Sequence, residues 1–191
     1  MSQINKYKKI FENEYFLRNG EIVSMSTNPV FDGGGVKRIS DAVLKYVEAN
    51  KGCTVLDYGC GNAIHWHKRV QLKNELFATY TEFLGPNISG FYRYDPAHPI
   101  YNKKPSGRYD LIICTDVLEH VPMDEMPTVL EEIASYMLNH SEAIFSIPKK
   151  ESKNAFRDGE NMHCTLMSFD EWAELISKHI PKKKISIFHY D

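Results

Sequence analysis

The chain has no run of apolar residues near the ~18 that a membrane-spanning helix needs, so no membrane partner is expected. It has no surplus of positive charge. Lys and Arg number 23 against 25 Asp and Glu, a formal net charge of -2, and nucleic-acid binders usually carry a basic field. Its four cysteines, Cys53, Cys60, Cys114 and Cys164, contain no CxxC pair, and two of them lie in apolar runs that read as buried strands. Reduced thiols and a cytoplasmic location are the expectation. The opening residues, MSQINKYKKIFENEY, lack the apolar stretch of a secretory signal. Repeats and low-complexity tracts are absent too.

What is present suits one domain. The 191 residues, 42% hydrophobic, can bury a core but not two comfortable ones, so residues 1–191 are expected to form a single unit. Within it, residues 1–35 read as an N-terminal helix and a glycine-hinged lid, and residues 36–191 as an α/β core. Ile4, Tyr7, Ile10, Phe11 and Tyr15 recur at helical spacing over residues 3–17. A loop with Pro29 and Gly33 to Gly35 follows, then a second helix through Ile39, Val43 and Val47. The runs CTVLD, LIIC and AIFSI are apolar on both faces, as buried parallel strands are. MDEMPTVLEEIASYMLNH places Met126, Leu130, Ile133 and Met137 on one helical face. In SFDEWAELISKHI, Ser168 and Glu171 form a capping box, and KISIFHYD alternates like a final strand. Strands alternating with helices predict an open, mostly parallel sheet flanked by helices.

In such a sheet ligands sit at the carboxyl ends of the strands. The first strand ends in TVLDYGCGNAIHW, with Asp57 before Gly59 and Gly61 and a helix expected after them. A dinucleotide fingerprint wants a third glycine, and Ile64 stands in its place. A carboxylate there would repel a pyrophosphate and attract an ammonium group. S-adenosylmethionine carries an ammonium and a sulfonium cation. A nicotinamide-binding fold is therefore disfavoured.

VLDYGCG (55–61) resembles the first motif of the class I S-adenosylmethionine-dependent methyltransferases. FYRYDP (91–96) and YDLIICTDVLEHVP (109–122) resemble later motifs of the same family, in the same order. The resemblance implies a Rossmann-like methyltransferase fold with S-adenosylmethionine as cofactor. It implies cofactor contacts from Asp57, Tyr58, Gly59, Cys60 and Gly61, then from Asp95 and Pro96, with Asp95 accepting from the ribose hydroxyls. Cys114, Thr115 and Asp116 complete the implied set. One departure stands out: only PAHPIYNKKPSGRY separates Asp95 from Asp110, so the usual helix and third strand are short or lost. The fold is thus shortened between its second and fourth strands, and the adenine pocket loses its usual support.

Asp116, Glu119 and His120, spaced i, i+3 and i+4, would share a helical face, and His163 in RDGENMHCTLMSFDEW would approach the same edge. Two acids and two imidazoles are a candidate site for Mn²⁺, Mg²⁺, Fe²⁺ or Zn²⁺, with His120 and His163 as the candidate catalytic residues. The pattern is similar to that of small-RNA 3′-end 2′-O-methyltransferases and ubiquinone-pathway O-methyltransferases, in which such residues hold a divalent ion. With the later DGENMHCTLMSFDEW segment, the likeness extends over residues 31–175 to small bacterial and phage methyltransferases of unassigned substrate. His65 and His67 would lie on opposite helix faces and share no metal. Trp66 reads as packing, His98 has no evident partner, and Lys149, Lys150, Lys153 and Arg157 read as a solvated loop. The expected activity is O-methylation of a small polar acceptor, such as a sugar or nucleotide-linked sugar. An RNA 2′-O-methyltransferase and a non-catalytic cofactor-binding module are the alternatives.

Overall fold

The computed structural model describes residues 2–12, 14–26, 30–67, 70–72, 75–77, 82 and 84–191. In chain order the elements are α1 (Gln3–Phe11), β1 (Phe16–Arg18), β2 (Glu21–Val23), α2 (Val36–Ala49) and β3 (Cys53–Tyr58). Then come β4 (Val70–Leu72), β5 (Glu75–Phe77), β6 (Ile88–Tyr94), β7 (Tyr109–Thr115) and α3 (Met126–Ser135). β8 (Met137–Pro148), β9 (Asn154–Ala155), α4 (Phe169–His179) and β10 (Lys184–Tyr190) finish the order.

The central sheet runs β10-β8-β7-β3-β6, and all four pairings are parallel. Side chains alternate across it, as a pleated strand requires. In β7, Leu111 and Ile113 pack with Ile39, Val43 and Val47 of α2. Ile112 and Cys114 point the other way, into the core built on Leu130 and Ile133 of α3 and Trp172 and Ile176 of α4. Both faces are covered, which is why these strands read as unbroken apolar runs. The parallel arrangement brings Tyr58, Tyr94, Thr115, Pro148 and Tyr190 to one edge.

Several sequence expectations need correcting. The first helix stops at Phe11, and Phe16 lies fully buried in β1, which pairs with β2 and β9. Strand pairing and burial of Phe16 with Ile10, Phe156 and Met162 override the helical spacing, leaving Tyr15 exposed. The third helix stops at Ser135, because Met137 opens β8 and pairs with Tyr109. The helix expected after the glycine turn is a short 3-10 helix (Ile64–His67). Residues 68 and 69, and Pro29 of the predicted loop, lie outside the described residues. Residues 95–108 hold no helix and no strand, so the predicted shortening is observed. The capping box on α4 is present, with the Ser168 hydroxyl accepting from Glu171 N. Among the described residues no helix is long and apolar enough to cross a membrane.

Candidate active site

A cavity of about 510 Å³ opens at the carboxyl edge of the sheet. Its floor is the strand ends and the turns after them. Its wall and roof come from α1 and from residues 30–35, which hydrogen-bond across to the glycine turn: Asn62 N–H donates to Phe31 O (2.7 Å) and His65 N–H to Asp32 O (2.9 Å).

Gly59 and Gly61 both have positive φ, +77° and +55°. A Cβ on Gly59 would run into Val117, and one on Gly61 into the Phe31 carbonyl. The two glycines therefore allow three chain segments to close on one another, with both lining the cavity. The turn is tied to β6: Gly59 N–H and Cys60 N–H donate to Tyr94 O at 2.7 and 3.1 Å. Asp95 follows at once. Its Oδ2 accepts from Gly61 N–H (3.0 Å) and its Oδ1 from Ala97 N–H (2.9 Å). Burial pushes its carboxyl above the ordinary range, and those two N–H groups pull against the shift. Each oxygen keeps a second lone pair. Asp95, Pro96 and Ala97 all face the cavity.

Asp57 is placed differently from the sequence expectation. It is 4% exposed, accepts from Trp66 Nε1 at 2.6 Å and lies behind the cavity wall. Burial raises its pKa to about 7, although the indole bond opposes the rise. A carboxyl so placed is not the exposed anion that the charge argument needed. Cys60 and Cys114 are also buried behind the wall, Cys114 in the core under α3 and α4. Tyr58, whose ring packs on Tyr94 at 5.3 Å, and Thr115 reach the cavity.

Besides Asp95, Asp116 presents a carboxylate to the cavity. It adopts φ +56°, so it begins no helix, and its N–H donates to Ser146 O at 2.8 Å. Oδ2 accepts from Arg38 Nη1 at 3.0 Å; Oδ1 accepts from the Tyr190 hydroxyl at 2.9 Å. Arg38 also stacks on the Tyr190 ring, 3.8 Å from its centroid. Asp116 is accordingly committed to Arg38 and Tyr190, and stands outside the group formed by Glu119, His120 and His163.

That group is compact. Leu118, buried under α3 and α4, anchors a 3-10 turn (Leu118–His120). The loop carrying His163 is stitched to it by Thr165, whose N–H donates to Glu119 O (3.1 Å) and whose hydroxyl donates to Val121 O (2.7 Å). One ligand atom from each of Glu119, His120 and His163 lies within 4.8 Å of the others. His163 Nδ1 is 2.7 Å from Lys150 O, and His120 Nδ1 is 2.9 Å from Met162 O. A carbonyl only accepts, so both Nδ1 atoms carry the proton and both Nε2 atoms present lone pairs. Each Nε2 is 3.9 Å from Glu119 Oε1. Burial, then the neighbouring imidazole, lowers the His120 pKa to about 3; burial lowers that of His163. Glu119 is fully buried, and neither of its carboxyl oxygens has a hydrogen-bond partner. Burial, then Asp116, pushes its pKa well up.

Sequence reasoning overlooked Tyr7, Phe11, Phe31, Arg38 and Tyr190, all on the cavity wall. Tyr7 Oη lies 2.8 Å from both His120 Nδ1 and Met162 O. Tyr7 and Phe11 show in the sequence only as positions at helical spacing, and no short-range pattern distinguishes a wall residue from a packing one. His98 does have partners: Nε2 meets Asn62 Oδ1 at 3.1 Å and the ring stacks on Tyr101. Lys149, Lys150, Lys153 and Arg157 are exposed and stand off the cavity, as a solvated loop does.

A wholly parallel sheet covered on both faces, with its cavity at a glycine turn and an acid ending the neighbouring strand, is a Rossmann-like cofactor-binding architecture. The model of a methyltransferase-domain family matches residues 33–181, well over half of the chain. The chain belongs to that family and is a class I S-adenosylmethionine-dependent methyltransferase. Searches of curated proteins and of solved structures find no match.

Proposed function

We propose that this methyltransferase is a cytoplasmic enzyme that methylates an oxygen of a small polar acceptor, such as a sugar or nucleotide-linked sugar, with help from a divalent ion. The observation that carries the metal is Glu119. A fully buried carboxyl with two unpartnered oxygens is costly, and here it faces two imidazole lone pairs whose tautomers are set by backbone carbonyls. The spacing of 3.9 Å is too long for a hydrogen bond, yet an ion with bonds of about 2.1 Å can touch both atoms. Two imidazoles and one carboxylate suit Mn²⁺, Fe²⁺ or Zn²⁺ better than Mg²⁺. Asp116, included in the sequence-based ligand set, is left out of this one.

The residues divide the work. Asp95 would hold the ribose hydroxyls, the glycine turn would take the chain of the cofactor, and Asp116 with Arg38 offers one charge of each sign to its amino-acid end. S-adenosylmethionine supplies a methyl group on a positively charged sulfur. A divalent ion on Glu119, His120 and His163 would supply a positive charge that favours the ionised form of the acceptor hydroxyl. With the ion in place both Nε2 atoms would be ligands and the acceptor's proton would pass to solvent; without it, Nε2 of neutral His120 or His163 could take that proton. The walls of the cavity would hold the acceptor in line with the methyl group. The net charge of -2, with no surplus of basic residues, favours the small-molecule reading over RNA.

Calorimetric titration tests this. Chelated protein is titrated with Mn²⁺, Fe²⁺ and Zn²⁺, and separately with S-adenosylhomocysteine. Divalent binding that disappears in Glu119→Gln while S-adenosylhomocysteine binding persists is the expected result. Divalent binding unchanged by Glu119→Gln, or none in the parent protein, removes the metal from the mechanism.

A further inference from the structure

Residues 95–108 leave one end of the cavity poorly walled from below. That stretch has no helix or strand, and only Asp95, Pro96 and Ala97 from it reach the cavity. The same end is walled from above by rings of the N-terminal segment. Phe11, in the last turn of α1, lies 4.9 Å edge-on from His98, which stacks on Tyr101. Phe31 lies 5.7 Å from Phe11 and 5.5 Å from Tyr7. Both rings are only partly buried and line the cavity.

Phe31 is held at some cost. Its φ is +56°, a conformation that a bulky residue rarely adopts. The bond from Asn62 N–H to Phe31 O fixes it there, against a position that only a glycine, Gly61, can occupy. Strain of this sort tends to collect where a side chain must be aimed at something. Here it aims an aromatic ring into the cavity between α1 and the glycine turn. Both rings come from residues that precede the matched family region of 33–181.

We propose that Phe11 holds the adenine of S-adenosylmethionine, in the place left by the missing elements between β6 and β7, while Phe31, whose ring also lies 5.8 Å from that of His120, stands between the base and the acceptor end. This rests on the reading that Asp95 takes the ribose. From Asp95 one direction leads to Glu119, His120 and His163, the acceptor end. The other leads to Pro96, Ala97 and Phe11, and the base must go that way. An adenine has two apolar faces that match aromatic rings, and removing one such ring typically costs about tenfold in affinity. α1 thereby serves both ends of the cavity, with Tyr7 on His120 and Phe11 on the base.

The test compares S-adenosylhomocysteine with S-ribosylhomocysteine, which keeps the ribose and the amino acid and lacks the base. Phe11→Ala is expected to weaken S-adenosylhomocysteine about tenfold and leave S-ribosylhomocysteine unchanged, measured by competition. Phe11→Trp should keep the parent affinity. If Phe11→Ala does not fold, Phe11→Leu, which keeps apolar volume without a flat face, should show the same selective loss in smaller degree. Equal weakening of both compounds, or of neither, overturns the proposal. In the same titrations Asp95→Ala should weaken both compounds. If it weakens neither while the Phe11 effect stands, the ribose assignment fails and the adenine wall survives.

Discussion

Asp57 and Asp95 at the cofactor end and Glu119 at the acceptor end are carboxyls at the same sheet edge, Asp57 and Glu119 buried and Asp95 half-buried, yet they are furnished in opposite ways. Asp57 has the Trp66 indole and Asp95 has two backbone N–H groups. Glu119 has nothing, with two imidazole lone pairs looking on at 3.9 Å. A partnered acid is already satisfied when the chain folds and can serve as a positioned acceptor. An unpartnered acid is a standing cost that a ligand relieves. The cofactor end is therefore largely preformed, and the acceptor end is completed by binding.

The largest expected effect comes from breaking the unfurnished end. Glu119→Gln should lower divalent affinity by at least about a hundredfold, since loss of supporting groups alone costs up to that much. Methyl transfer should fall by roughly 10²-fold or more. Without metal, the melting midpoint should hold steady or rise. Burial already favours the neutral acid, and glutamine has its shape. Function lost while stability holds would mark Glu119 as waiting for a ligand; a large drop in the midpoint would put it in the same class as the other two acids.

Asp95→Ala should hurt both properties. It removes the acceptor for the ribose, worth roughly 10- to 100-fold in S-adenosylhomocysteine affinity. It also strands the Gly61 and Ala97 N–H groups, at about 1–3 kcal/mol in urea denaturation. Asp95→Asn, which keeps one acceptor, should fall between.

This contrast explains what could be read in the sequence and what could not. β3, β7 and β8 announced themselves because both faces are buried, and the shortening after Asp95 showed as a proline-rich gap. The cluster of Glu119, His120 and His163 was anticipated, but for a partly wrong reason. No helix starts at Asp116; a left-handed residue and a 3-10 turn bring Glu119 and His120 round, and Thr165 brings His163. Asp57 was misjudged because nothing in TVLDYGCGNAIHW shows that Trp66 folds back onto it. Tyr7, Phe11, Arg38 and Tyr190 are brought in from distant elements, and tertiary packing alone reveals them. Helix ends at Phe11 and Ser135 were missed because strand pairing competes with helical periodicity there.

A pH-dependent effect should distinguish Asp57 from Asp95. Its pKa rises from 3.8 to about 7 on folding, with burial as the main cause, so the folded protein keeps a proton that the unfolded chain releases. The stability this contributes is whole below pH ~4 and is lost as pH rises through ~7. The local slope is at most about 1.4 kcal/mol per pH unit. Urea denaturation of the parent should therefore fall behind that of Asp57→Asn between pH ~4 and ~7, and the gap should stop widening above that. Cofactor affinity should change little, because this side chain sits behind the wall. A matching loss of S-adenosylhomocysteine binding in Asp57→Asn would restore the charge-matching role.

The smallest effect calibrates the others. Ser168 caps α4, its hydroxyl accepting from Glu171 N–H while the Glu171 carboxylate accepts from Ser168 N–H. Ser168→Ala should cost about 1 kcal/mol. α4 packs under β7 and β8 through Trp172 and Ile176, so the loss loosens the sheet as a whole without touching either end of the cavity. Affinities for S-adenosylhomocysteine and for Mn²⁺ should both stay at parent values. If Mn²⁺ binding weakens with so mild a destabilisation, the geometry of Glu119, His120 and His163 depends on global stability. The losses seen in Glu119→Gln would then no longer report on a ligand atom alone.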